Sequence, residues 1–265
     1  MSFSSGHRYW LASLSAEENK GLFGKWASPF SHGHNYVLEA EISGPIDQVT
    51  GMVVNIKVLD KILREKIVDV FDGKSLNDEV SHFADHAPTV ESILYYIRDQ
   101  IGSPPERTEL TGLTLYETPL IWGSLRREKD DWKMTLTRSY EFAASHRLHN
   151  PLLPEAENDD LYGKCSNPAG HGHNYVLEVT VEGEPNPKTG MMVDLETLDD
   201  AVEKKVVDRY DHKNLSVDLP EFNGKVATSE VVAQQIWKEL DGALPATLSK
   251  IRLKETERNI FEVSR

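Results

Sequence analysis

The chain carries its own partial copy. Residues 24–40 read GKWASPFSHGHNYVLEA and residues 163–179 read GKCSNPAGHGHNYVLEV, with eleven of the seventeen positions identical. The offset is 163 − 24 = 139. The same offset pairs His7 with His146, Thr50-Gly51-Met52 with Thr189-Gly190-Met191, and Asp72 with Asp211. It also pairs Thr89 and Glu91 with Thr228 and Glu230. Near the ends it slips to 138, and Tyr116-Glu117-Thr118 answers Lys254-Glu255-Thr256. A period this long is a duplicated domain, because solenoid repeats recur every ~20–50 residues. The 265 residues therefore divide into two homologous domains, 1–130 and 131–265, with the seam at the charged stretch Arg126-Arg127-Glu128-Lys129-Asp130-Asp131.

Local patterns agree between the halves. Tyr175, Leu177, Val179 and Val181 alternate with more polar neighbours, which predicts a strand with one drier face. Met134, Leu136, Tyr140 and Phe142 suggest another strand, running into His146. Asp194 reads as an N-cap, followed by Leu195, Leu198, Val202 and Val206 at helical spacing to about Tyr210. A second helix begins around Thr228-Ser229-Glu230 and buries Val232, Ile236 and Leu240. Residues 251–253 and 259–263 read as closing strands, and a short strand is expected at Met191–Val193. Each half is thus α+β, not a βαβ series. Neither half has a GxGxxG or a phosphate-cradling loop.

Composition narrows the function. Twenty-nine basic against 43 acidic residues give a net charge of −14, which argues against a nucleic-acid or anionic-membrane surface. No run of 18 apolar residues is present, so no membrane partner is expected. The N-terminus lacks the pattern of a signal peptide. The single cysteine excludes an intramolecular disulfide and four-cysteine zinc sites, and suits a reducing cytoplasm.

The histidines carry the chemistry. His171 and His173 are two apart on a strand, so both imidazoles share a face. His146 ends the preceding strand and reaches the same point. Three neutral imidazoles with an open fourth position hold a catalytic zinc. A lone His-x-His is usually a surface accident, but here His-x24-His-x-His occurs twice, at 146/171/173 and at 7/32/34. Cys165 lies six residues before His171, where a cation would favour its thiolate. Asp211 precedes His212 and can fix its tautomer, although adjacent residues seldom pair directly.

Taken together, FAASHRL, GKCSNPAGHGHNY, TGMMVDL, YDHKNL, ATSE and KETERN make the second half resemble the 6-pyruvoyl-tetrahydropterin synthase family. That family also includes the 6-carboxytetrahydropterin synthases of the queuosine pathway. The resemblance covers nearly all of residues 138–264, in the family's order. It implies two tandem tunnelling-fold domains, each an antiparallel four-stranded sheet with two helices on one face. It further implies a zinc ion on His146, His171 and His173, with Cys165 as the proton-abstracting residue. Asp211 and His212 would be the relay pair. Glu255 would anchor a pterin and complete the relay, and Thr228 and Thr256 would line its pocket. The implied substrate is 7,8-dihydroneopterin triphosphate, and Arg147, Lys164 and Lys213 are candidate cations for its phosphates.

The first half departs from this pattern. It keeps His7, His32, His34, Asp72 and Glu117, a second candidate metal set, but has Trp26 for Cys165 and Gly73 for His212. An indole is no base at neutral pH and glycine has no side chain, so this half is expected to be a scaffold rather than a synthase. The family's barrels take three domains, which predicts a homotrimer or a multiple of it. The spacing Cys-x5-His-x-His resembles the pyruvoyl members more than the carboxy ones, whose spacing is more typically Cys-x3-His-x-His. A non-catalytic zinc- and pterin-binding assembly protein is the alternative of another class. Cys165, Asp211 and His212 argue against it.

Overall fold

The computed structural model describes residues 1–102, 104–105 and 107–265. It divides into unit 1, Met1–Thr137 with Glu182–Glu196, and unit 2, Arg138–Val181 with Thr197–Arg265. Each is α+β. No helix among the described residues is long and apolar enough to cross a membrane.

Unit 1 begins with strand β1 (Ser2–His7), helix α1 (Ala16–Phe23) and strand β2 (His32–Ser43). Helix α2 (Ile56–Leu63) runs into a π-helical turn at Arg64–Val68, and the two-residue strand β3 (Lys74–Ser75) follows. Helix α3 (Val90–Ile101) leads to strands β4 (Glu109–Thr118), β5 (Ile121–Glu128) and β6 (Asp131–His146). The sheet order is β3-β1-β2-β4-β5. β1–β2, β2–β4 and β4–β5 are antiparallel, and β3 adds to β1 in parallel. α3 lies against β4 and β5. It buries Val90, Ile93, Leu94, Ile97 and Ile101 at helical spacing, the apolar stripe that makes a surface helix dock on a sheet.

β6 begins in unit 1 and ends in unit 2. Unit 2 continues with helix α4 (Glu155–Tyr162), strand β7 (His171–Glu182) and helix α5 (Leu195–Val202), which again runs into a π-helical turn, at Glu203–Val207. The two-residue strand β8 (Lys213–Asn214), helix α6 (Ser229–Leu240) and strands β9 (Thr247–Lys254) and β10 (Ile260–Ser264) complete it. The order is β10-β9-β7-β6, with β8 parallel to β6. α6 packs against β9 and β10 and buries Val232, Ala233, Ile236 and Leu240. On β7 Tyr175, Leu177, Val179 and Val181 are fully buried, as the sequence predicts, but Glu178 and Thr180 on the opposite face are buried too, so the strand is dry on both sides there.

Two local expectations need correction. Met191–Val193 forms no strand; it is an irregular bend leading into α5. The helices α1 and α4 were not foreseen. Their sequences, AEENKGLF and EAENDDLY, are too polar to show an apolar stripe. In α4 the residue facing inward is Asn158, fully buried, whose side chain accepts from Asn150 N–H and donates to the carbonyls of Asn150 and Leu153. Asn19 does the same in α1 for Leu11. A buried amide that satisfies its own hydrogen bonds substitutes for an apolar anchor, and periodicity cannot register it.

Candidate active site

Strand pairing assembles each histidine cluster. In unit 1 the antiparallel register sets His7 opposite His32 and Ser5 opposite His34. In unit 2, His146 ends β6 while His171 and His173 open the neighbouring β7. In each cluster one ring nitrogen from every histidine lies within 4.8 Å of the others, so each can hold a metal ion.

Hydrogen bonding decides which nitrogens are offered. His146 Nδ1 donates to the carbonyl of Ala227 at 2.8 Å. A carbonyl only accepts, so the proton sits on Nδ1 and Nε2 presents a lone pair. His7 repeats this with the carbonyl of Pro88 at 2.9 Å. His146 Nε2 lies 3.2 Å from His171 Nε2. Burial holds all three imidazoles of unit 2 below their ordinary pKa, and burial pushes His7 down to about 3. At neutral pH both clusters are therefore uncharged and able to ligate. His7 Nε2, His34 Nε2 and His173 Nε2 are buried with no hydrogen-bond partner among the described residues. Each such atom costs about 1–3 kcal/mol, a cost that a cation at the centre of the cluster offsets. The residues present thus fit a metal.

Glu255 stands beside the second cluster, its Oε1 3.6 Å from His146 Nε2 and 3.7 Å from His173 Nε2. Ser229 Oγ donates to Oε1 at 2.7 Å, and Asn259 Nδ2 donates to Oε2 at 3.1 Å. Partial burial works to raise the carboxyl pKa. The bonds from Ser229 and Asn259, with the neighbouring histidines, outweigh it and hold the group below its usual range. Glu255 is thus a fixed carboxylate. Sequence reasoning missed Ser229 and Asn259 as its holders. The signal was available in the repeat, since Val90 and Ile121 occupy the corresponding positions of the first half and cannot donate.

Asp211 and His212 follow the π-helical turn. The backbone N–H of Ala143 pins Asp211 Oδ1 at 2.7 Å, and His212 Nδ1 donates to Asp211 Oδ2 at 2.6 Å. The two do pair, which adjacent residues seldom do. His212 adopts φ +57°, a left-handed conformation that brings its ring back onto the preceding carboxylate. Gly73 has φ +72° at the same place in unit 1. Such a conformation is costly for a residue with a Cβ, and strained residues concentrate at working sites. An open cleft of about 460 Å³ is lined by Ser145, Gly172, His173, His212, Lys213 and Asn214.

The other predicted residues are placed as follows. Cys165 sits half-buried in the 3₁₀ turn Gly163–Ser166 and does not line that cleft. Thr228 caps α6 by accepting from Val231 N–H, and Thr256 accepts from the N–H groups of Arg258 and Asn259 in an exposed turn. Arg147 is a structural tie, donating from Nε to the carbonyl of Ser166 at 2.7 Å. Lys164 is exposed and helps to depress the pKa of His171 and His173, while Lys213 borders the cleft. In unit 1, Glu117 takes the place of Glu255, 3.7 Å from His7 and 3.8 Å from His34.

The family model for 6-pyruvoyl tetrahydropterin synthase matches residues 1–128 and again 135–265. The chain belongs to this family. It is 48% identical over 126 residues to the 6-pyruvoyl tetrahydrobiopterin synthase of Poecilia reticulata, a match covering 47% of this chain and 86% of that protein. The Homo sapiens 6-pyruvoyl tetrahydrobiopterin synthase is 46% identical over 126 residues, covering 47% and 87%. The structure of Caenorhabditis elegans 6-pyruvoyl tetrahydropterin synthase is 41% identical and covers 49% of this chain and 94% of that one, with a TM-score of 0.48. Each relative thus spans about half of this chain. Both matched ranges carry the three histidines, and only the second carries Cys165 and His212.

Proposed function

We propose that the second repeat catalyses conversion of 7,8-dihydroneopterin triphosphate to 6-pyruvoyl-tetrahydropterin with loss of triphosphate, and that the first repeat is a scaffold. The observation that carries this is the concentration of three features in one repeat: a three-imidazole cluster, a fixed carboxylate beside it, and the chain's single cysteine together with Asp211 hydrogen-bonded to His212. Zinc on His146, His171 and His173 suits three neutral nitrogen donors, and when bound it would polarise the substrate's side-chain oxygens and so acidify the adjacent carbon–hydrogen bonds. Cys165 is the base that removes such a proton. Asp211 holds His212 in one tautomer, so that its Nε2 can take up or return a proton. Glu255, ionised and immobilised by Ser229 and Asn259, accepts hydrogen bonds from the pterin ring's N–H groups, with Thr228 and Thr256 beside the ring. Lys164 and Lys213 are the cations that offset the acidic surface for a triphosphate. Because Gly73 replaces His212 in the first repeat, Cys165 and His212 must both come from second repeats, of the same chain or of two. The spacing Cys-x5-His-x-His favours the pyruvoyl product over the carboxy product. The protein works in the cytoplasm as a homotrimer or a multiple of it.

The test is incubation of the zinc-loaded protein with 7,8-dihydroneopterin triphosphate and identification of products by mass spectrometry. Triphosphate and 6-pyruvoyl-tetrahydropterin are expected. Absence of triphosphate release would reject the lyase reading, and release of acetaldehyde would assign the carboxy branch instead.

A further inference from the structure

A tyrosine stands behind each histidine cluster. Tyr175 lies two residues after His173 on β7, so the two side chains share a face of the strand. Its ring stacks on Phe142, with centroids 5.2 Å apart and an interplanar angle of 16°. It meets His146 and His173 edge-on, at 6.3 and 5.7 Å. Phe142 and the two imidazoles thus fix the ring. Tyr175 is fully buried, and its hydroxyl is sealed from solvent with no hydrogen bond closed among the described residues. That hydroxyl faces the Ser229 side chain and the carboxylate of Glu255.

Unit 1 repeats the arrangement with one part missing. Tyr36 stacks on Phe3 at 5.1 Å and meets His7 and His34 edge-on, at 6.1 and 5.7 Å. It is fully buried, its hydroxyl closes no hydrogen bond among the described residues, and it faces Glu117. Where unit 2 has Ser229, unit 1 has Val90. The tyrosine and the carboxylate are common to both repeats, and the hydroxyl between them belongs to the second alone.

A buried hydroxyl is costly to leave unpaired, so such a group marks a contact that the working site completes. A phenol is protonated at neutral pH and can donate. The Ser229 hydroxyl gives its one proton to Glu255 Oε1 at 2.7 Å and keeps lone pairs free to accept. We infer that Tyr175 is a positioning residue for Glu255, acting through Ser229: the phenol donates to Ser229 Oγ, and the serine proton is thereby directed onto the carboxylate. Each bond in such a chain polarises the next. Glu255 is then held at Oε1 by two hydroxyls in series and at Oε2 by Asn259. A carboxylate fixed in this way meets a ligand with little ordering left to do. In unit 1 the valine breaks the chain. The inference rests on the reading of Glu255 as the pterin anchor.

The experiment is equilibrium dialysis of the zinc-reconstituted full chain against neopterin, for the native protein, Tyr175→Phe, Ser229→Ala and the double variant. Circular dichroism checks folding and elemental analysis checks that the zinc content is unchanged. Tyr175→Phe removes one oxygen and keeps the ring. It should weaken neopterin binding about threefold to tenfold. In the Ser229→Ala background it should add nothing, the non-additivity expected of residues in one hydrogen-bonded chain. With 7,8-dihydroneopterin triphosphate it should raise KM by a similar factor and change kcat by about twofold or less, a split that a general packing defect would not give. Tyr36→Phe should leave binding and KM unchanged. Unaltered neopterin binding in Tyr175→Phe, or a loss that adds in full to that of Ser229→Ala, would overturn the inference. A native chain that binds no neopterin would overturn the pterin reading and the inference with it. Intact coupling without triphosphate release would support the inference and reject the lyase reading alone.

Discussion

His7, His32 and His34 in unit 1 and His146, His171 and His173 in unit 2 gather at corresponding strand positions, yet only the second repeat carries a cysteine and the hydrogen-bonded Asp211 and His212. The frame is the same: a ring fixed through Nδ1 by a carbonyl, with a carboxylate under 4 Å from two of the histidines. What differs is small in residue count. Trp26 replaces Cys165, Gly73 replaces His212, and Val90 and Ile121 replace the two donors that fix Glu255. The comparison teaches that ligand geometry and proton chemistry are separable, because strand register builds the first while individual loop residues supply the second.

The largest effect should come from the position where the repeats differ most. Cys165→Ala should lower turnover by about 10²–10⁴-fold, the usual worth of a positioned acid–base group. It should leave the metal content unchanged. Trp26→Ala should leave turnover within about twofold on the same reasoning, since it removes no acid or base. Comparable losses from both, in steady-state assays, would end the division of labour between the repeats.

Next is the metal. His171→Ala should remove one metal ion per chain and leave a second on His7, His32 and His34, as measured by elemental analysis of zinc-reconstituted protein. If no metal remains, the first cluster keeps the geometry without the function, and the comparison is sharpened rather than lost.

The smallest effect concerns the carboxylate. Ser229→Ala removes a hydrogen bond to a charged group, worth roughly 1.5–3 kcal/mol. It should weaken pterin binding at least ~10-fold, seen as a raised KM with a smaller change in kcat. An unchanged KM would mean that Asn259 alone fixes Glu255.

Much of this was legible before any coordinates. The two-domain organisation rests on the 139-residue offset, and both histidine sets follow from His-x-His on a strand plus one histidine at the end of its neighbour. The long helices and strands follow from apolar periodicity, because burying a stripe is what makes an amphipathic segment fold. The polar helices α1 and α4 escaped, since a buried asparagine does the work of an apolar anchor there.

That the repeats differ in their titratable groups needs only the sequence, since Cys165 and His212 of the second are replaced by Trp26 and Gly73 in the first. Tertiary structure alone decided how those groups are held. The left-handed turn that folds His212 onto Asp211, the Ser229 and Asn259 clamp on Glu255, and the seating of Gly190–Met192 on Thr89 and Glu91 all join residues through backbone conformation or across long sequence separations. Such contacts are set by geometry, which a list of residue types does not contain.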